Sequence, residues 1–170
     1  MTRDTDDNHR AAGRLHARAR EYRGRFLNHI AVIERDIALL LTEYFCTIDP
    51  SKQELFFERI ACRMSLEEKR TLLIEIVRRD YPSYWDKHAE FLKDLQELQT
   101  FRNKLAHSVL DVSDEALARP LEAGVGFLQW KNGTPIPERE LDDWCVRANM
   151  VSSTLSSIKM LLPYKERTDA

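Results

Sequence analysis

The feature that most constrains this chain is an apolar repeat in residues 26–45. The repeated side chains are spaced three or four positions apart: Phe26, Ile30, Ile33, Ile37, Leu41 and Tyr44. This spacing places them on one face of an α-helix, which must pack against other elements to leave water. Because Gly and Pro are scarce, with 5 and 6 copies in 170 residues, few positions interrupt such helices. The repeat therefore predicts a helical protein.

Four further helices are predicted, at about 52–63, 66–79, 84–108 and 137–162. Ser51 with Glu54, and Ser65 with Glu68, form predicted capping boxes at the start of the first two. Before the last helix, Phe127–Trp130 is strand-like and Asn132-Gly133 is typical of a tight turn, which predicts a β-hairpin. The predicted fold is all-α: an up-and-down helical bundle with a small β-hairpin inserted before the last helix.

Composition and charge set the predicted organisation of the chain. With 43% hydrophobic and 32% charged residues, we expect a single domain over 21–163, between a flexible basic N-terminal arm, 1–20, and a tail, 164–170. The six arginines between residues 10 and 25 are either the solvated turns of a helix or an arm that contacts phosphate. A net charge of -2 gives the chain as a whole no electrostatic argument for duplex binding.

The cysteines and the hydropathy pattern bear on compartment and cofactors. The three cysteines are far apart and form no zinc-type spacing, which predicts a reduced cytoplasmic protein without a metal site or cofactor. No apolar run approaches the roughly 20 residues of a membrane span, so we expect no membrane association.

The segment "FRNKLAHSVLD", residues 101–111, carries unexpected polar residues on the fourth helix. On a helical projection, Arg102 falls among the apolar side chains of one face: Phe91, Leu95, Leu98, Leu105 and Val109. Asn103 and His107 lie together on its flank. A buried guanidinium needs a partner, and Glu34 lies within the apolar face of the first helix. We therefore predict an Arg102–Glu34 pair, which is either part of a site or a buried ion pair that sets helix register.

Arg102, Asn103 and His107 carry the functional groups of phosphoryl chemistry. Imidazole moves protons near neutral pH, and guanidinium stabilises charge that develops on a phosphate. No cluster of carboxylates that would bind Mg²⁺ is evident beside them, so the predicted chemistry is metal-independent. Lys104, next to the motif, is either a phosphate contact or a solvated lysine.

"RNKLAH" resembles the R-x4-6-H motif of the HEPN superfamily, with Asn103 in the polar position after the arginine. The resemblance extends to a helical architecture over residues 25–162. It implies a metal-independent endoribonuclease, often a toxin or an antiviral defence effector, that uses the RNA 2′-hydroxyl to cleave the chain. The implied catalytic residues are Arg102, Asn103 and His107, with Glu34 as the counterpart of a helix-borne acid. Lys104 is the expected substrate-binding residue.

Five residues apart on an ideal helix, Arg102 and His107 point about 140° away from each other. One helix cannot easily direct both at one phosphate, whereas two chains related by a two-fold axis can. We therefore predict a homodimer with its active site at the interface. The expected partners are RNA and an antitoxin or regulatory protein.

Two alternatives stay open at this point. The first is a non-catalytic HEPN-like interaction or RNA-binding module, in which Arg, Asn and Glu form a structural network. The second concerns the three tryptophans, Trp85, Trp130 and Trp144, which are interpreted as core or interface residues, although indole also stacks on nucleic-acid bases.

Overall fold

The computed structural model of the protein describes residues 2–46, 49–120 and 123–161. The fold is predominantly helical, with a small antiparallel sheet, as the sequence predicts. The elements, in chain order, are α1 (Thr2–Cys46), α2 (Pro50–Arg59), a 3₁₀ turn (Ala61–Arg63), α3 (Leu66–Asp80), α4 (Pro82–Ala106), β1 (Ser108–Leu110), α5 (Asp114–Ala118), β2 (Gly126–Gln129), β3 (Pro135–Pro137) and α6 (Glu138–Leu161). Among these described helices, none has the length and apolar character required to cross a membrane.

Local signals place some helix starts accurately. The capping box of Ser65 and Glu68 is formed at the start of α3, because the Glu68 carboxylate accepts from the Ser65 backbone at 2.7 Å. The capping box predicted for α2 is wrong. Asp49 caps that helix instead, accepting from the backbone of Ser51 and Lys52, and Pro50 occupies the first turn.

The predicted hairpin is present and belongs to a larger sheet. β2 pairs with β3 on one side and with β1 on the other, both antiparallel. β1 is formed by Ser108–Leu110. The predicted fourth helix ended at about residue 108 and its projection included Val109, whereas α4 ends at Ala106. The short apolar segment after α4 therefore leaves the helix, because β2 supplies hydrogen-bond partners for it.

The predicted arm, residues 1–20, is helical from Thr2 and continuous with the rest of α1. Leu15 and Ala19 are buried. This part of α1 consequently packs on other residues, because an apolar stripe at helical spacing continues upstream of Phe26. The predicted tail, 164–170, lies outside the described residues.

The chain divides into two compact units. Unit 1 comprises Met1–Asn28 and Phe101–Val146, and unit 2 comprises His29–Thr100 and Arg147–Ala170. The core of unit 1 contains an aromatic cluster, in which the ring of Phe101 meets Phe26 edge-on at 5.1 Å and stacks on Trp144 at 4.7 Å. The core of unit 2 is mainly aliphatic, and its fully buried side chains include Ile33, Ile37, Leu41, Leu73, Leu95 and Leu98.

Candidate functional site

The end of α4 brings the predicted polar residues to the surface of unit 1. Arg102, Asn103, Lys104 and His107 are all exposed. Arg102 Nη1 donates to Asn103 Oδ1 at 3.1 Å, so the amide helps to orient the guanidinium. His107 directly follows the last residue of α4, and its backbone N–H donates to the carbonyl of Asn103 at 3.2 Å. Three of the predicted catalytic residues thus share one helix end.

The prediction that Arg102 lies on the buried face of α4 is wrong. Phe101 occupies that face and is 1% exposed, with Leu105 one turn further on. Val109, which the projection included, belongs to β1 and not to the helix. At the C-terminal end of α4 the buried face consists of Leu98, Phe101 and Leu105, spaced three and four residues apart. Arg102 lies beside this local face and is exposed.

Glu34 has a different partner from the one predicted. It lies in unit 2, where its Oε1 accepts from Lys69 Nζ at 2.9 Å. The Lys69 side chain is only 3% exposed, and a buried ammonium requires such a partner. The predicted Arg102–Glu34 pair rested on a buried guanidinium, and Arg102 is exposed. A role for Glu34 in the chemistry stays a prediction.

Arg23 of α1 anchors the backbone that follows His107. Its Nη2 donates to the carbonyl and the hydroxyl of Ser108, at 3.1 and 3.3 Å, and its guanidinium lies 4.6 Å from the ring centre of Phe127. Burial lowers the pKa of Arg23 from its usual value. Ser108 Oγ in turn donates to the carbonyl of Leu105 at 2.8 Å. These contacts hold the junction of α4 and β1 in place.

Other arginines of the basic segment make contacts within unit 1. Arg18 forms a two-pronged hydrogen bond with the Glu138 carboxylate, at 2.8 and 2.6 Å, and Arg25 pairs with Asp142. Arg14 and Arg20 are exposed. Some of the arginines in residues 10–25 therefore stabilise the structure through ion pairs. The pattern of charges in the sequence does not show which arginines do so.

Trp130 stands beside the motif, and sequence reasoning assigned it to core or interface. Its backbone N–H donates to the carbonyl of His107 at 3.2 Å, and its side chain is 79% exposed. The sequence does indicate this exposure, because Trp130 directly precedes the turn Lys131-Asn132-Gly133 and side chains at hairpin tips face solvent.

Within the described residues, no group of three or more His, Cys, Asp or Glu side chains is arranged to bind a metal ion. What the helix end offers is a cation, an amide and an imidazole on an open surface. Such groups can bind a phosphodiester and move a proton without a bound cofactor.

No protein-family model matches the sequence, and comparisons with curated proteins and with solved structures give no significant match.

Proposed function

We propose that this protein is a metal-independent endoribonuclease of the HEPN type. The observation that supports the proposal most directly is the joint exposure of Arg102, Asn103 and His107 at the end of α4. A polymeric substrate needs an accessible surface, and these residues match the R-x4-6-H pattern in that setting. RNA suits these groups because its own 2′-hydroxyl serves as the nucleophile, so that no bound metal has to supply one.

The proposed reaction is an internal transesterification. A base removes the proton of the 2′-hydroxyl, the 2′-oxygen attacks the adjacent phosphorus, and the bond from phosphorus to the 5′-oxygen breaks. An acid returns a proton to the departing 5′-oxygen, which leaves a 2′,3′-cyclic phosphate and a free 5′-hydroxyl. His107 carries the proton transfers, and the Arg102 guanidinium stabilises the negative charge that builds up on the phosphate oxygens.

Asn103 and Lys104 have supporting roles in the proposal. The Asn103 side-chain oxygen accepts from Arg102 at 3.1 Å, so it positions the guanidinium and leaves its NH₂ group to donate to phosphate. Lys104, exposed on the same turn, adds positive charge for the RNA backbone. These steps do not require a contribution from Glu34.

Arg102 lies within α4, whereas His107 follows the last residue of that helix, Ala106, so the two side chains of one chain do not share one helix face. A two-fold dimer that brings two motifs together would unite the arginine of one chain with the histidine of the other, at each of two equivalent centres. The proposal therefore includes a homodimer.

The first test is RNA cleavage in EDTA by the wild type and by His107→Ala. We expect the wild type to cleave and the variant to lose on the order of a hundredfold or more in rate, the usual contribution of general acid–base catalysis. The products should carry 2′,3′-cyclic phosphate ends. His16→Ala is a matched control, because His16 is also an exposed histidine of unit 1.

Undiminished cleavage by a folded His107→Ala variant would refute the role of His107. If the wild type cleaves no RNA but binds it, the second candidate is favoured: a non-catalytic RNA-binding module. That alternative is supported by the hydrogen bond between Arg102 and Asn103, which engages the two side chains with each other in the absence of substrate.

A further inference from the structure

The outer face of the small sheet continues directly from the candidate site. β1 and β2 pair Ser108 with Gln129 and Val109 with Leu128. Extending this register by one residue brings His107 opposite Trp130, and the Trp130 N–H donates to the His107 carbonyl at 3.2 Å. Directly opposed residues of antiparallel strands have Cβ atoms roughly 5 Å apart, on the same face. Trp130 therefore occupies the cross-strand position opposite His107, on the same face of the sheet.

Alternation along the strands identifies which face this is. Phe127 and its partner Ile136 are each 1% exposed, so they mark the inner face of the sheet. Side chains of a strand alternate between faces, which places Leu128 and Trp130 on the outer one. Val109, the partner of Leu128, is 43% exposed. Trp130 thus extends an apolar surface that runs along the open side of the sheet.

The charged residues of the two segments that carry this surface are all cationic. Neither residues 98–110 nor residues 123–137 contain an Asp or Glu, whereas they carry Arg102, Lys104 and Lys131. All three cations are exposed. Acidic residues lie at the end of the strands away from Trp130, where Asp111, Glu138 and Asp142 line one pocket with Leu128 and Pro135. Aromatic surface rimmed by cations is complementary to single-stranded nucleic acid, whose backbone is anionic and whose unpaired bases offer flat faces.

The backbone that carries Trp130 is held in a defined turn. Gly133 donates to the carbonyl of Gln129 at 2.8 Å, and Gln129 donates back to that of Thr134 at 3.0 Å. The Asn132 side chain accepts from the Thr134 backbone at 3.1 Å. A fixed turn limits the entropy lost when an aromatic side chain binds a ligand.

We propose that Trp130 is the base-stacking residue of the site, and that the substrate is single-stranded RNA with an unpaired base stacked on the indole beside the phosphate at His107. This inference rests on the proposed function for the identity of the substrate. A base inside a duplex has both faces covered by its neighbours, so double-stranded RNA does not fit this arrangement.

The binding test uses the full-length His107→Ala protein, so that the RNA stays intact. The probes are a single-stranded RNA of mixed sequence and the same strand annealed to its complement, with binding followed by tryptophan fluorescence and by gel shift. We expect preference for the single strand and quenching of fluorescence. Adding Trp130→Ala should weaken single-strand binding on the order of tenfold, the loss of one stacked base, and should abolish most of the quenching.

Two further variants distinguish stacking from a general loss of structure. Trp130→Phe retains an aromatic face and should recover most of the affinity. Met160→Ala removes another apolar side chain, 77% exposed on α6, and should leave binding unchanged. In cleavage assays Trp130→Ala should raise KM more than it lowers kcat, because His107 and Arg102 are still present.

Several results would overturn the inference: equal affinity with and without Trp130, equal affinity for duplex and single strand, or dissociation of a dimer by Trp130→Ala, which would make the indole an interface residue. The outcomes separate the two proposals. If the wild type and Trp130→Ala cleave RNA equally well, the ribonuclease proposal is retained and the stacking role of Trp130 is refuted. If RNA binding depends on Trp130 but the protein cleaves no RNA, the stacking role is retained and the ribonuclease proposal is refuted.

Discussion

Glu138, at the start of α6, connects three parts of unit 1. Its carboxylate accepts two hydrogen bonds from Arg18 and one, at 2.9 Å, from the backbone of Val125. Burial raises the pKa of Glu138, but the hydrogen bonds from Arg18 and Val125 outweigh it and hold the pKa below its ordinary value. The contact joins residues 120 positions apart, so it stabilises tertiary structure rather than a local element.

Glu138→Gln should lower the free energy of unfolding at neutral pH by about 1–3 kcal/mol, because a neutral amide accepts more weakly from a guanidinium. A depressed carboxyl pKa stabilises the fold above the ordinary pKa, and this contribution is lost as pH falls through the folded-state value. The difference in the free energy of unfolding between wild type and variant should therefore become smaller as the pH falls toward about 3. Urea denaturation at neutral pH and at the acidic pH measures this difference.

Glu21→Gln, at an exposed position of α1, is the control and should change stability little at either pH. A difference between the wild type and Glu138→Gln that grows on acidification would contradict the assigned role of the carboxylate.

The elements of this protein place glycine in two different settings. Gly133, in the turn between β2 and β3, has φ +65°, a conformation that L side chains rarely adopt. Gly24 lies within α1, and a Cβ added there would meet nothing within 4 Å. Alanine is therefore expected to have opposite effects at the two positions.

Gly133→Ala should destabilise the protein by about 1–2 kcal/mol, the cost of the left-handed conformation for a residue with a Cβ. Gly24→Ala should stabilise it by about 0.5–1 kcal/mol, since alanine loses less backbone entropy in a helix. Thermal unfolding of the two variants measures both effects. Changes of the same sign would show that the backbone conformation at one of these positions differs from the one described.

For the whole molecule, the main prediction is a composite centre, in which Arg102 of one chain and His107 of its partner form one active site. Arg102→Ala and His107→Ala should each be inactive alone. In a mixed dimer, one centre carries both substitutions and the other carries neither. Equal mixing should therefore restore about a quarter of the wild-type activity, because half of the dimers are mixed and each has one intact centre.

Mixing is carried out after dissociation and reassociation, and sedimentation reports the oligomeric state. A monomer with full nuclease activity would overturn the composite centre, as would mixtures that stay inactive although mixed dimers have formed. A mixture of Arg102→Ala and Asn103→Ala, two neighbours on the same helix turn, tests whether recovery requires the arginine and the histidine specifically.

Much of the local structure follows from the sequence. The helices follow from apolar spacings of three and four, the start of α3 from Ser65 and Glu68, and the hairpin turn from Asn132-Gly133. These signals act between residues close in the chain, where hydrogen bonds of caps and turns and the helical period are decided. The motif from Arg102 to His107 was also identified from the sequence.

Only the tertiary structure decided which side of α4 is buried and where the helix ends. Phe101 rather than Arg102 enters the core because Phe26 and Trp144 pack against it, and both are distant in sequence. β1 forms because β2, about twenty residues later in the chain, supplies its hydrogen bonds. The exposure of Trp130 beside His107 depends on the same pairing. The spacing of apolar residues shows which face of a helix is more apolar. Which side chains are buried depends on contacts between residues that are distant in the chain, and the local sequence does not contain that information.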